Sequence, residues 1–208
     1  GTPENLRHLI CPLLNNISDK DLRDATPEVL ADQVGHTPET YSGENGRDLF
    51  YSCVLSPRID NEWLKPYKAC FRDKFGQSFR EKCIKTTDTL IAWIRTRIAI
   101  DSTANWGRAP LTPVGAFELR VADKHSRDIL FAAICRSFGI PARLEPGTRL
   151  PQYYHDGSWH DVYFEKKKQE SSLRGNLTLD NDPANEKKPE YYTHFTVEKY
   201  ESGFYRSL

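Results

Sequence analysis

Hydrophobic residues recur at helical spacing through most of the first half of the chain. The Thr-Pro-Glu sequence at residues 2–4 is typical of a helix start, and apolar residues follow it on one face. Ser18 followed by Asp21, and Thr26-Pro27 before an apolar run, predict two more short helices. Residues 36–47 are polar and glycine-rich and are expected to form a loop. The pattern therefore predicts a helical N-terminal region.

Three longer segments continue this pattern. Apolar residues at steps of three and four predict a helix from Asn61 to Phe75 and one long helix over residues 78–100. After several prolines, Val114 to Val121 is expected to be extended. Asp123 precedes another strong helix, which Gly139-Ile140-Pro141 should end.

Beyond that helix the period changes from helical to strand-like. Residues 143–165 are rich in Tyr, Val, Trp and Phe, and Asp156-Gly157 between two such runs predicts an antiparallel hairpin. Residues 165–190, with a run of three lysines, are expected to be a loop or linker. Residues 191–200 alternate like a strand, and a further strand begins at Phe204.

Composition and charge narrow the classes of protein that this chain can be. It has 208 residues, of which 12% are aromatic, too many for a disordered chain. The 29 basic side chains are balanced by 29 acidic ones, so no general electrostatic attraction to nucleic acid is expected. The longest apolar runs are far shorter than the roughly 20 residues of a membrane helix, so no membrane span is expected. The chain starts with Gly and has no Met, which indicates processing, as in an exported precursor trimmed of its signal, or an expression fragment.

The five cysteines do not have the spacing of a metal or redox site. They stand at positions 11, 53, 70, 83 and 135, with no Cys-x-x-Cys pair. Cys70 and Cys83 either form a disulfide or pack as two core residues, and the usual burial of free cysteine favours the second interpretation. With no glycine-rich phosphate loop and no metal-spaced cluster, we predict no cofactor and no metal.

The segment Asp128 to Arg143 (Asp-Ile-Leu-Phe-Ala-Ala-Ile-Cys-Arg-Ser-Phe-Gly-Ile-Pro-Ala-Arg) resembles the core-helix motif of the transglutaminase-like superfamily. The resemblance is most specific at Arg136, Ser137 and the Gly-Ile-Pro-Ala-Arg at residues 139–143. It implies a fold related to papain-type cysteine proteases. The helical N-terminal region is similar to the extension of large bacterial members of the superfamily.

Pattern and resemblance together predict an α+β fold. A core helix should pack on an antiparallel sheet, after a helical N-terminal region and before a partial β extension. We expect a helical region over residues 1–105, a transglutaminase-like core over 106–168 and a linker or loop over 169–190. Residues 191–208 should begin a β region that continues beyond the end of this chain.

Active members of the superfamily carry a cysteine in the first turn of the core helix, a histidine on the next strand and an aspartate on the strand after it. Such a thiol loses its proton easily, because a helix N-terminus carries partial positive charge and a histidine takes the proton. Counting from the motif places these roles at Lys124, Thr148 and Tyr163, none of which matches. Asp161 lies two residues before the last position, so only the acid could survive a small register shift.

Lys124 is unexpected at a helix start, because the helix dipole disfavours a cation there by about 0.3–1 kcal/mol. One explanation is that this position no longer has a catalytic role. Another is that Lys124 binds an anion together with Ser126 and the N–H groups of the helix start. A third hypothesis is that Lys124 is a desolvated nucleophile. Cys135 lies near the opposite end of the helix, where core packing is the favoured interpretation.

The favoured hypothesis is a domain without the Cys-His-Asp triad, acting as a peptide- or glycan-binding or structural module. It would belong to a larger bacterial protein, periplasmic or exposed outside the cell, with further domains of the same chain as partners. The expected ligand cleft is lined by Trp106, Lys124, His125, Ser126, Thr148, Tyr154, Trp159 and Asp161.

Two other hypotheses stay open. One is an active cysteine-type acyl transferase or peptidase of the same class with a different register, which requires a cysteine sulfur close to a histidine nitrogen. The other is an architectural spacer, which predicts no concave cleft near Lys124.

Overall fold

The computed structural model describes residues 7–38, 44–103, 105, 107, 109–165, 178, 180–185, 187–190, 193–201 and 204–207. The chain divides into two compact units. The first consists of Gly1–Glu145 with Leu150–Glu165, and the second of Pro146–Arg149 with Lys166–Leu208. The lysine run at 166–168 lies outside the described residues, and the predicted domain boundaries stay predictions.

Short helices form the start of the first unit. Ser18 caps the second of them by accepting a hydrogen bond from the Asp21 N–H at 3.1 Å, and Pro27 starts the third, as predicted. The fourth begins at Glu44, so the predicted loop over 36–47 is too long. The elements are α1 (Arg7–Asn16), α2 (Asp19–Asp24), α3 (Pro27–His36), α4 (Glu44–Phe50) and a π-helical turn (Tyr51–Leu55). Their small core comprises Leu9, Leu13, Val34, Phe50, Val54 and Leu55.

Helix α5 (Lys68–Lys74) is half as long as the helix predicted over 61–75. Pro66 disfavours helical geometry in the residue before it, so the apolar pattern does not continue as helix through this point. The buried carboxylate of Asp32 then accepts the backbone N–H groups of Tyr67, Lys68 and Ala69 at 2.8–2.9 Å. A carboxylate on α3 therefore fixes where α5 begins.

The long helix predicted over 78–100 is two helices, α6 (Gln77–Lys85) and α7 (Asp88–Arg97). The chain is extended at Thr86, with φ −145° and ψ 92°, and β-branched residues suit this geometry better than a helix interior. Cys83, Leu90 and Ile94 are nevertheless all buried in one core. The helical spacing of apolar residues continues from α6 into α7, so this spacing alone does not indicate the break between them.

The segment expected to be extended over 114–121 is mostly helical, and the prediction was wrong. Helix α8 (Pro113–Leu119) starts with Thr112 as its cap, whose Oγ1 accepts the Gly115 N–H at 3.1 Å. Strand β2 (Val121–Ala122) follows and pairs in parallel with β1 (Ala99–Ile100).

Helix α9 (Lys124–Ser137) is the centre of the first unit and is confirmed as predicted. It ends in a Schellman motif: Gly139 has φ 83°, its N–H donates to Arg136 O at 3.1 Å, and the Ile140 N–H donates to Cys135 O at 2.9 Å. A left-handed residue at this point turns the chain from the helix into the sheet.

An antiparallel sheet packs against α9. Strands β3 (Ala142–Leu144), β4 (Pro151–His155) and β5 (Ser158–Asp161) follow in that order. The predicted turn Asp156-Gly157 has positive φ at both residues, 47° and 81°, as a two-residue type I′ hairpin requires. Helices packed on an antiparallel sheet confirm the α+β class. The core between α9, the sheet and the helices before it includes Phe71, Phe75, Leu90, Ile94, Phe117, Leu130, Phe131, Ile134, Phe138 and Phe164.

The second unit contains an antiparallel strand pair, β6 (Glu198–Glu201) with β7 (Phe204–Ser207). Of the strand predicted over 191–200, the described part is regular strand only from Glu198. Throughout the described residues, the structure holds no helix with the length and apolarity needed to cross a bilayer.

Candidate functional site

The first turn of α9 is closed by a buried polar cap. Asp123 accepts the Ser126 N–H at 3.0 Å and the Ser126 hydroxyl at 2.7 Å, while Asn105 Nδ2 donates to the same carboxylate at 2.6 Å. Ser126 is fully buried, and its Oγ accepts the Leu111 N–H at 2.9 Å. Partial burial acts to raise the pKa of Asp123, but the hydrogen bonds from Ser126 and Asn105 outweigh it and hold that pKa below the ordinary value. The Ser126 hydroxyl is thus part of the helix cap.

Lys124 lies at the surface of this turn and faces a carboxylate of the same chain. Its side chain is 66% exposed, and its Nζ is 3.9 Å from Glu165 Oε1. Arg127 Nη1 donates to the same oxygen at 3.0 Å. Partial burial acts to raise the pKa of Glu165, whereas Arg127, with a smaller contribution from Lys124, lowers it below the ordinary value. Glu165 therefore balances a cation that the sequence alone left unexplained.

His125 contacts a loop that the sequence analysis did not connect with it. Its Nε2 is 2.9 Å from Asn61 Oδ1 and 3.0 Å from Asp60 Oδ2. Both partners are acceptors, which assigns the ring proton to Nε2. No local pattern in the sequence indicates this contact, because Asn61 and His125 lie 64 positions apart.

Arginine and glutamate side chains hold that loop in shape. The buried carboxylate of Glu62 accepts the backbone N–H groups of Ile59 and Asp60 at 2.8 and 2.9 Å. Arg136 Nη1 donates to the carbonyls of Ser56 and Arg58 at 3.0 and 2.8 Å. The motif residue Arg136 thus fixes the position of the loop whose Asp60 and neighbouring asparagine face His125.

Arg127 and Asp128 continue the polar network along the helix. The Arg127 guanidinium lies 4.2 Å above the Phe164 ring, and its Nε donates to Asp128 Oδ1 at 3.0 Å. Burial raises the pKa of Asp128 to about 6, against the attraction of the arginine charge. The carboxyl group of Asp128, one turn into α9, therefore has a pKa closer to neutral pH than an ordinary aspartate.

The outer face of the sheet carries a second polar and aromatic group. Arg143 Nε donates to Gln152 Oε1 at 2.9 Å, and Gln152 Nε2 donates to Asp161 Oδ1 at 2.7 Å. Trp159 is packed between the Arg143 guanidinium, 4.0 Å away, and the Tyr154 ring, 5.4 Å away. Three predicted cleft residues thus lie together on neighbouring strands.

This outer face is turned away from α9. Tyr153, which precedes Tyr154 on β4, contacts Phe131 of α9, and neighbouring residues of a strand point to opposite faces. The sheet therefore separates the aromatic residues of the hairpin from that helix. The structure brings Lys124, His125 and Ser126 together at one place, and Tyr154, Trp159 and Asp161 at another.

A comparison with models of known protein families identifies the family of this chain. A sequence model described as the transglutaminase-like superfamily matches residues 76–192, more than half of the chain. The chain belongs to the transglutaminase-like superfamily. No curated protein and no solved structure matches it significantly.

Within this superfamily, the motif of the core helix defines three triad positions, and the structure shows where the residues at these positions lie. Lys124 is at the first helical position of α9. Thr148 is exposed and lies in the turn between β3 and β4 rather than on a strand. Tyr163 follows β5, is 45% exposed, and donates its hydroxyl to Asp161 Oδ2 at 3.3 Å. Trp106, the remaining predicted cleft residue, lies outside the described residues, and the cleft as a whole stays a prediction.

The five cysteines of the chain lie outside the first turn of α9. Cys83 and Cys135 are fully buried in the main core, and burial raises the pKa of Cys83 to about 12 and that of Cys135 well above its ordinary value. Cys53 is buried beside Ser52 Oγ at 3.5 Å, Cys70 is partly buried and Cys11 is exposed. All five thiols are free, so Cys70 and Cys83 are not joined.

Three further histidines contact groups other than thiols. His36 pairs with Asp32, His155 with Asp156, and His160 Nε2 lies 3.2 Å from both Ser158 Oγ and the His155 carbonyl. Within the described ranges, no group of three or more His, Cys, Asp or Glu side chains is arranged to hold a metal ion.

Proposed function

We propose that this transglutaminase-like domain is non-catalytic and serves as a binding or structural module of a larger bacterial protein. The observation that carries the proposal is the first turn of α9. In this turn, Lys124 faces Glu165. His125 contacts Asp60 and Asn61. Ser126 donates its hydroxyl to Asp123 and completes the helix cap. Side chains committed to contacts within the chain support a positioning role for this turn, not a reacting one.

Cysteine chemistry requires a thiolate at the pH of the reaction. The nucleophile needs a lowered pKa, a nearby base and access to substrate. Cys135 has the opposite environment, because it is fully buried, its pKa is raised, and it is close to the C-terminal end of α9. The environment of Cys83 is similar. Neither thiol meets these requirements.

The competing hypothesis is an active acyl transferase or peptidase in which another cysteine is the nucleophile. It needs a histidine nitrogen within about 4 Å of that sulfur, with an acid to orient the ring. In the first turn of α9, His125 lies 3.0 Å from Asp60, and the position before it is Lys124 rather than a cysteine. A His-acid pair without a thiol supports the non-catalytic proposal.

Thiol labelling of the folded protein tests the two hypotheses. We expect iodoacetamide at pH 7 to label the exposed Cys11 at the slow rate of an ordinary thiol, with the buried Cys53, Cys83 and Cys135 protected. Cys11→Ser is the control and should remove most of the labelling. A cysteine that reacts much faster than an unfolded peptide thiol, found by digestion and mass spectrometry, would overturn the proposal.

The exported location is a separate part of the proposal. It rests on the similarity of the helical N-terminal region to extensions of large bacterial members of the superfamily. Fractionation of the source cells tests it: the protein should be found in the periplasm or outside the cell. Recovery in the cytoplasm alone would remove this part and leave the chemical proposal unchanged.

A further inference from the structure

A groove of about 430 Å³ opens beside the first turn of α9. It lies between α2, the loop that carries Asn61 and the segment Ala109-Pro110. Asn61 also contacts His125, and Leu111, next to Pro110, donates to Ser126. The groove is thus joined to the helix start by direct contacts, and its volume is in the range of about 300–1,000 Å³ found for small-ligand sites.

Trp63 forms one wall of this groove and is unusually exposed. The residue is 72% exposed, and Lys65 Nζ is 5.9 Å from the ring centre. An indole held at the edge of a groove offers a flat apolar face with a polar N–H at its rim. Large aromatic residues are normally well buried, so an exposed one beside a groove is the kind of feature that marks a binding site.

The rest of the lining is mixed: Leu64, Ala109 and Pro110 add apolar surface, and the charged side chains balance one another. Lys20 and Arg58 are matched by Asp24 and the buried Glu62. The Arg58 guanidinium is fixed by Asp21 and by Asp24 at 2.9 Å, so its planar face is held rigidly at the groove. A lining without net charge gives no long-range attraction to a charged ligand.

Fixed hydrogen-bonding groups surround the indole. Three of the five N–H groups of Arg58 are used in the contacts to Asp21, Asp24 and the Glu62 carbonyl, which leaves donors for a ligand. Asn61 Oδ1 is engaged by His125, so the NH2 group of that amide is the part able to donate into the groove. The groove therefore combines one apolar stacking surface with several directional polar groups.

We infer that this groove binds a neutral saccharide, with a pyranose ring stacked on Trp63 and its hydroxyls bonded to Arg58, Asp24 and Asn61. A sugar ring has an apolar C–H face and a rim of hydroxyls that both donate and accept, which matches this lining. A peptide bound by strand addition would need a free strand edge, and none of the residues that line the groove belongs to a strand. The inference deepens the proposed binding role and rests on it.

NMR of the full chain tests the inference. We would titrate 15N-tryptophan-labelled protein with maltohexaose, cellohexaose, chitohexaose and mannohexaose, using Trp63→Phe to assign the indole signal. One of these sugars should shift the Trp63 indole signal saturably. Trp63→Ala should raise the dissociation constant about tenfold or more, as truncation of a central aromatic contact does.

Trp159→Ala distinguishes this groove from the cleft predicted from the sequence, since Trp159 belongs to that prediction and lies on the outer face of the sheet beside Arg143. It should change saccharide affinity less than twofold. The inference is overturned if none of the four sugars binds at millimolar concentration, if Trp159→Ala rather than Trp63→Ala removes binding, or if a random hexapeptide mixture shifts Trp63 while the sugars do not. Any of these results would leave the thiol-labelling outcome, and with it the non-catalytic proposal, unaffected.

Discussion

The two ends of helix α9 are built differently. At the C-terminal end, Arg136 is 2% exposed and donates to the carbonyls of Ala142, Ser56 and Arg58, while Gly139 turns the chain into the sheet. At the N-terminal end, the side chain of Lys124 is two-thirds exposed, and its Nζ lies 3.9 Å from Glu165 Oε1, at the outer limit of an ion pair.

The residues that maintain the superfamily fold and the residue that reacts in active members thus belong to opposite ends of the helix. The motif that identifies the family lies at the buried end, where the packing of α9 against the loop and sheet requires particular residues. The nucleophilic cysteine of active members belongs to the other end, where exposed side chains can change at little cost in stability. A chain can therefore keep the family fold while its first turn takes another role.

The largest expected effect is at the buried end. Arg136→Ala leaves three carbonyl groups without their donor, so the free energy of unfolding should fall by about 3 kcal/mol or more. Urea unfolding measures it, with Arg95→Ala, exposed on α7, as a control that should change stability by less than about 0.5 kcal/mol. If Arg136→Ala unfolds too completely to measure, Arg136→Lys should give an intermediate loss. Equal midpoints for Arg136→Ala and Arg95→Ala would contradict the contrast between the ends.

A pH-dependent effect is expected at Asp128, one turn into the helix. Its pKa in the folded protein is raised to about 6, so the folded state binds this proton more tightly than the unfolded state, and stability falls as pH rises from about 4 to about 6. Asp128→Asn cannot ionise and should be more stable than the wild type by about 1–2 kcal/mol at pH 7. Thermal or urea unfolding of both proteins from pH 4 to 7 measures the difference. It should shrink toward pH 4, and a difference independent of pH would contradict the assignment.

The helix cap should have a smaller effect. Asp123→Ala removes the acceptor of the Ser126 N–H and hydroxyl, and should cost about 1–2 kcal/mol at pH 7. Because the pKa of Asp123 is lowered in the folded protein, this contribution is present above about pH 4 and declines as pH falls through the folded-state value. Unfolding of wild type and variant at pH 7 and pH 3 tests it, with Asp73→Ala, exposed on α5, as the control. A larger loss at pH 3 than at pH 7 would contradict this sign.

The smallest effect is expected at Lys124 itself. Exposed ion pairs contribute about 0–1 kcal/mol, and a cation at a helix start is disfavoured by a similar amount. Lys124→Ala should therefore change the free energy of unfolding by less than about 0.5 kcal/mol in chemical denaturation. A loss above 1 kcal/mol would show that the first turn depends on this side chain, and that the two ends of the helix are more alike than we propose.

Much of the fold could be predicted where the cause is local in sequence. Ser18 and Asp123 are caps that bond within their own first turn, and Asp156-Gly157 supplies the positive φ angles of its hairpin. The break at Thr86 was missed because the apolar spacing continues across it. Helix α8 could have been found, since Thr112-Pro113 repeats the Thr-Pro pattern that correctly located the start of α3.

Less of the site could be predicted, because its contacts join distant segments. Lys124, His125 and Ser126 were placed correctly at a helix start by counting along one motif. Their partners Asp60 and Glu165 come from other elements, and no spacing rule connects them to α9. The groove beside Trp63 was missed for the same reason, since in the sequence this residue fitted the apolar stripe of a helix that does not form there.

The most direct test of the central claim compares the wild type with Lys124→Cys. The rate of alkylation by iodoacetamide, followed for each cysteine from pH 5 to 9, gives the apparent pKa of each accessible thiol. We predict that no wild-type cysteine reacts at pH 7 faster than an ordinary thiol with a pKa of about 8.5, and that the cysteine introduced at position 124 does, because it stands at the N-terminus of α9. A wild-type cysteine that already titrates well below that value and reacts rapidly at pH 7 would contradict the account.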